Sequence, residues 1–219
     1  MRDSKQLLLD SRPFATDEPV KSWRAIASTA VCLAVGFTLC CLDLHWWLRL
    51  PVSIVTGLVV VRMFVIYHDY EHGTILKKSR LARALMTLFG LCTLNAPSIW
   101  ARSHNHHHKN KCRLLGGFIG SFPTMTIDEY ERSSWGERVG YRVGRHPMTI
   151  AFAYLTVFLF GMTIRPLVLN PRQHFDCAIA LVVQISFGVA AVMLGDWLTL
   201  MYALLIPGFV SSAVGAYLF

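Results

Sequence analysis

Charge is scarce in this sequence: Asp, Glu, Lys and Arg make up 16% of its 219 residues, against roughly 25% in soluble globular proteins. The six cysteines form no C-x-x-C pair, which removes the spacing that a Cys-based zinc site or a thioredoxin-like motif requires. Cys32, Cys40, Cys41, Cys92 and Cys177 fall in apolar stretches and Cys112 in a basic one, so they read as small packing residues rather than a disulfide framework. There is no internal repeat. The first apolar run lacks a convincing cleavage site, so it reads as an anchor and not a signal peptide. What fills the space left by charge is apolar sequence, 54% of the chain, arranged in runs near the length of about 20 residues that a bilayer span needs.

The formal charge of +8 is distributed beside those runs. Arg2, Lys5, Arg12, Lys21 and Arg24 precede the first; Lys77, Lys78, Arg80 and Arg83 follow the second; a third set runs from Arg102 to Arg145. This is the pattern of cytoplasmic loops in membrane proteins. No nucleic-acid-binding motif accompanies it, so a nucleic-acid partner is not expected. Residues 1–24 read as a polar cytoplasmic tail and 25–219 as a membrane domain. Ala25–Leu42 and Leu50–Tyr67 make a helical hairpin around a short break holding Trp46 and Trp47, residues suited to a membrane interface. Leu81–Trp100 is long enough to span but contains Arg83, Asn95 and Pro97; it reads as an interfacial or re-entrant helix. Thr126-Ile-Asp-Glu129 has capping-box spacing and predicts a helix from about Ile127, lying on the membrane surface. A further apolar run, Met148–Ile164, precedes a break with Arg165, Pro166, Pro171 and Arg172. From Asp176 to Phe219 the chain holds two spans, or one span and a re-entrant piece. The fold class is all-α: a polytopic helical membrane protein with about four spans.

Six of the nine histidines lie in two segments, His68-Asp-Tyr-Glu-His72 and His104-Asn-His-His-His108. Helical residues three or four apart share a face, so His68 and His72 can point at one metal, as can His104, His107 and His108; His106 points elsewhere. Neutral imidazole suits iron, zinc, copper and nickel. A lone H-x-x-x-H is commonly incidental, and a histidine-rich stretch alone can be a surface metal scavenger or a solvated loop. Two such clusters, each where an apolar run meets a basic segment, point to a joint metal site. Spanning by Leu81–Trp100 would put them on opposite faces, which is why the re-entrant reading is favoured. The first cluster also fits H-x-x-E-H, the inverted zinc-protease pattern with Glu71 as base, but that leaves His104–His108 unexplained and finds no third ligand. A non-catalytic metal carrier would want polar groups inside the spans, which are nearly free of them.

The two segments resemble the first two histidine boxes of membrane fatty acid desaturases; the stretch Trp100-Ala-Arg-Ser-His-Asn-His-His-His108 is the more specific. Hydroxylases, alkane monooxygenases and carotenoid-modifying enzymes share the plan. The resemblance implies two iron ions, O₂ as co-substrate, and introduction of a double bond into a fatty acyl lipid, acyl-CoA or acyl-carrier substrate. Electrons would come from a ferredoxin- or cytochrome b5-type donor. It makes His68, His72, His104, His107 and His108 iron ligands, with Asp69, Glu71 and Asn105 as their hydrogen-bonding supports, all on the cytoplasmic face with the N-terminus. The family's third box is absent before Phe219. His45, His146 and His174 are isolated, and His45 and His174 are expected on the outer side. The 219 residues by themselves are therefore expected to bind iron poorly and to be inactive.

Overall fold

Helix is the only regular structure in the described residues, which in this computed structural model are 4–11, 16–109 and 124–218. After a short α1 (Ser4–Ser11), α2 (Pro19–Cys41) and α3 (Trp46–Glu71) form the expected antiparallel hairpin. α2 starts at Pro19, where the missing N–H costs nothing. Two more long apolar helical segments are α10 (Phe175–Leu194) and the continuous stretch Trp197–Leu218, made of α11 (Trp197–Leu200), a π-helical turn (Met201–Leu205) and α12 (Ile206–Leu218). These four are long and apolar enough to cross a bilayer, and the apolar tail after Asp176 resolves into two spans.

Contacts fix the directions. α3 runs from Arg49 at one end to His68 and His72 at the other. Trp197–Leu218 runs parallel to it: the Ser53 hydroxyl donates to the Tyr202 carbonyl at 2.6 Å, and Gly57 lies against Pro207 and Val210. α10 runs the opposite way, with Asp176 near the histidine end and Leu194 leading to the Arg49 end. That far end is closed by Arg49 itself, only 3% exposed. Its guanidinium donates to the Cys40 carbonyl at the last turn of α2 (2.8 and 3.2 Å) and to the Thr199 hydroxyl (3.3 Å), and stacks on Tyr202. Asp196 caps α11 by accepting from the Thr199 N–H and hydroxyl, and these bonds hold its carboxyl below the ordinary carboxylate range.

The stretch between the histidine clusters is bent. α4 (Arg80–Cys92) and α5 (Pro97–Lys109) meet at an angle of 91°, measured over Arg80–Cys92 and Pro97–Ser103. The contacts are those of a re-entrant turn. The Cys92 carbonyl accepts from Gln184 (2.6 Å), eight residues into α10 and so about 12 Å past Asp176 at about 1.5 Å per residue. Ser98 is already back at Asp176. Leu94, wholly buried, takes a left-handed backbone (φ +59°) to make the reversal, a conformation costing roughly 1–2 kcal/mol for a residue with a Cβ.

Two expectations need correction. Met148–Ile164 is not one straight α-helix: it divides into α8 (Pro147–Ala151) and a π-helical segment (Tyr154–Ile164) that runs into α9 (Arg165–Leu169). Tyr154–Leu169 is an apolar helix too short for the four-span set. His174 lies at the histidine end, with its Nδ1 2.9 Å from Ser98 Oγ, not on the opposite side. α6 (Ile127–Arg132) does begin with the Thr126–Glu129 capping box, and α7 (Trp135–Gly144) begins with a second one, Ser134–Glu137. The Ser134 hydroxyl and N–H hold the Glu137 carboxyl below its usual value.

Arg49→Met keeps the side chain's apolar bulk but strips the Cys40 carbonyl of its donors; a loss of about 1–3 kcal/mol is expected, measured by thermal unfolding in detergent micelles. Arg49→Lys should recover only part, because one ammonium cannot reproduce the fork. Gly90→Ala places a methyl 2.7 Å from the Asn95 carbonyl and 3.2 Å from Tyr67 Oη. It should destabilise the turn by about 1–3 kcal/mol in the same assay, as overpacking does.

Candidate metal centre

His68 and His72 occupy the last turn and C-cap of α3, one helical turn apart. Their rings meet edge to face at 4.5 Å, and the two Nε2 atoms lie 3.3 Å apart. Asp69 Oδ1 sits 3.3 Å from His68 Nδ1. With Nδ1–H donating to that carboxylate, Nε2 is the lone-pair nitrogen, and it faces His72. An acidic neighbour that fixes tautomer and ring orientation is the usual support for a metal-bound imidazole. The donor set therefore fits a metal held between neutral imidazoles. Glu71 is half-buried one residue before His72, but no hydrogen bond from it to either ring is seen.

The loop after His72 is tied down. Thr74 donates from both N–H and hydroxyl to the Asp69 carbonyl (3.2 and 2.7 Å). The Leu76 N–H donates to Asp17 Oδ2 at 2.7 Å, linking the entry to α2 with the exit from α3. Beneath lies a core of Ile26, Met63, Ile66, Tyr67, Leu76, Ala82, Met86 and Trp100.

The second cluster reaches this place on α5. Trp100 is 4% exposed, and its ring stands edge-on to Tyr67 (5.1 Å), His68 (5.9 Å) and Phe64 (6.4 Å). One face of α5 is thus docked on the turn that bears the first cluster. The backbone of His104–His108 continues this helix to Lys109. The side chains of His104, Asn105, His107 and His108 lie outside the described residues, and His106 is half-buried. Among the described residues no group of three or more His, Cys, Asp or Glu side chains gathers at one point. His45 is at the far end, stacked on Trp47, and His146 caps α8 through Nδ1.

With this geometry in hand, comparison with known proteins is decisive at the family level. A model of the family described as fatty acid desaturase matches residues 44–219. The chain belongs to the fatty acid desaturase family. It is 30% identical over 124 residues to a fatty acid desaturase of Bacillus subtilis (strain 168), covering 57% of this chain and 35% of that protein. It is 29% identical over 104 residues to an sn-1 oleoyl-lipid 12-desaturase of Picosynechococcus sp., covering 47% of this chain and 30% of that protein. The chain thus matches about a third of the length of these curated relatives. No solved structure matches it.

This desaturase-family chain also holds a cleft that sequence reading did not locate. Between α3, the re-entrant turn, the π-helical segment and α12 lies a small cleft of about 20 Å³, lined by Val60, Val61, Phe64, Phe89, Phe158 and Gly215, with Thr93, Asn95, Ser211 and Ser212 as its polar members. Phe64 belongs both to the cleft and to the aromatic group around His68, so the apolar space begins next to the histidines.

Trp100→Ala should cost about 3–5 kcal/mol, as for a buried Trp in a packed core, read from the unfolding midpoint. Trp100→Phe should recover most of it by refilling the space against Tyr67.

Proposed function

We propose that this protein is an iron- and O₂-dependent fatty acid desaturase with His68, His72, His104, His107 and His108 as ligands. The observation that carries the reading is the return of α5 to α3: an apolar stretch long enough to cross the membrane instead reverses and docks Trp100 on His68. Two iron ions bound there would supply O₂ activation; overall, O₂ takes two hydrogen atoms from a –CH₂–CH₂– unit, two electrons from a donor and two protons from solvent, leaving a double bond and two water molecules. Asp69 orients His68, and Glu71 and Asn105, each next in sequence to a ligand, would support His72 and His104 in the same way. The mostly apolar cleft beside Phe64 marks where an acyl chain would enter between the helices, with side chains moving to admit it. Fixed placement is what such chemistry needs, since methylenes are chemically alike and position alone selects the bond that breaks.

The substrate is a fatty acyl group, carried as a lipid, on coenzyme A or on an acyl carrier. The donor is of ferredoxin or cytochrome b5 type, drawn to the basic residues at the histidine end by electrostatic steering. That end and the N-terminus face the cytoplasm, by the distribution of Lys and Arg.

Expressed from its native reading frame in a host whose acyl lipids are then analysed, the protein should add a double bond, and His72→Ala should abolish it. A hydroxylated acyl product would replace the desaturase reading with that of a hydroxylase on the same plan. Asp69→Ala should weaken iron binding about 10- to 100-fold, measured by titration of the purified protein, with little change in helix content.

A further inference from the structure

We infer that Asp176, with Ser98 and His174, is a positioning clamp that sets the axis of the second histidine helix from the membrane helix α10. Its consequence for metal binding rests on the proposed ligand set; the clamp itself does not.

The hydrogen-bonding sums show why α5 needs it. Pro97 opens the helix and has no N–H. The Ile99 and Trp100 N–H groups both reach the Ala96 carbonyl. The Ser98 N–H remains, and it donates to Asp176 Oδ2 at 2.8 Å, across 78 positions of sequence. The Ser98 hydroxyl donates to Asp176 Oδ1 at 2.6 Å, so both oxygens of one carboxylate grip one residue. His174 Nδ1 lies 2.9 Å from the same hydroxyl. The hydroxyl's single proton is spent on the carboxylate, so His174 carries its proton on Nδ1 and donates it to Ser98 Oγ. His174 is 3% exposed, while Ser98 and Asp176 are half-buried. One turn further along α5, Arg102 donates to Gln173 (3.4 Å).

The three side-chain types invite comparison with a hydrolytic triad, and the wiring argues against it. The carboxylate holds the serine and not the histidine, and the histidine gives its proton to the hydroxyl instead of taking one. No base is set up behind a nucleophile. What the arrangement can do is mechanical. His104 lies six residues beyond Ser98, about 9 Å at about 1.5 Å per residue. A tilt of about 10° about Ser98 would displace it by roughly 1.5 Å, beyond the about 0.5 Å tolerance of a working ligand set.

The test is amide hydrogen exchange by mass spectrometry on the full chain in lipid nanodiscs, with cobalt(II) titration as a second readout. Asp176→Ala should speed exchange in residues 98–103 at least tenfold while peptides from α3 keep wild-type rates. Ser98→Ala keeps the backbone bond and should give a smaller, equally local change of about threefold. Asp176→Asn keeps an acceptor for the Ser98 N–H and should restore most of the protection. Cobalt affinity should fall at least tenfold in Asp176→Ala and recover in Asp176→Asn. Unchanged exchange at residues 98–103 in both alanine variants, or acceleration spread equally over α3 in both, overturns the clamp. Cobalt uptake that is unchanged in His72→Ala would sink the ligand assignment, while the exchange data still decide the clamp.

Discussion

A polypeptide that reverses inside a bilayer must find partners for its backbone within the protein, because hydrocarbon supplies none. The turn at residues 93–96 meets that demand at most of its carbonyls. Cys92 is served by Gln184, Thr93 by the Asn95 amide, Asn95 by the Tyr67 hydroxyl, and Ala96 by the first turn of α5; the Thr163 hydroxyl donates to the Phe158 carbonyl at 2.8 Å and only approaches Leu94 at 3.5 Å. Each donor except Asn95 and the α5 backbone comes from a different helix. Both α10 and α3 must therefore be in place before the turn is satisfied. Only with the turn formed can α5 emerge beside α3, so the assembly of the histidine end depends on these few hydrogen bonds as well as on the packing of Trp100.

That dependence explains what was legible in the sequence. Apolar run length identified α2 and α3, and the same-face argument from His68–His72 and His104–His108 identified the reversal between residues 81 and 100. Asn95 and Pro97 marked its position as breakers. The partners of the turn were not legible. Gln184, Tyr67 and Asp176 are single polar residues inside or beside apolar runs, and their partners lie 28 to 92 positions away in the chain. Periodicity carries no trace of such pairings. The spans were judged nearly free of polar groups, yet those few are the ones the fold uses.

The misplacement of His174 has the same origin. Met148–Ile164 is apolar enough for a span, and composition alone cannot distinguish a straight α-helix from one divided by a π-helical segment. Counting it as a straight crossing from the histidine end placed His174 on the opposite side, whereas its contact with Ser98 puts it at the histidine end. Arg49 was likewise taken as part of a polar break between spans. Its burial follows from geometry that sequence does not display: the last carbonyls of α2 end beside the first turn of α3, and a planar guanidinium can satisfy Cys40 while reaching Thr199 and Tyr202.

Charged side chains close the backbone at both ends of the bundle. At the far end Arg49 meets the Cys40 carbonyl and Asp196 the Thr199 N–H; at the histidine end carboxylates meet backbone N–H groups, Asp17 at Leu76 and Asp176 at Ser98. Both choices follow the charge that unsatisfied carbonyls and N–H groups prefer. The consequence is sharper at the histidine end. Asp17 fixes the loop that leaves the first cluster, and Asp176 fixes the helix that carries the second. Neither residue belongs to a cluster, so the relative placement of the two histidine segments is set by bonds that exist without any bound ion. A site assembled in this way pays its ordering cost during folding, and binding energy is then not spent on arranging the ligands.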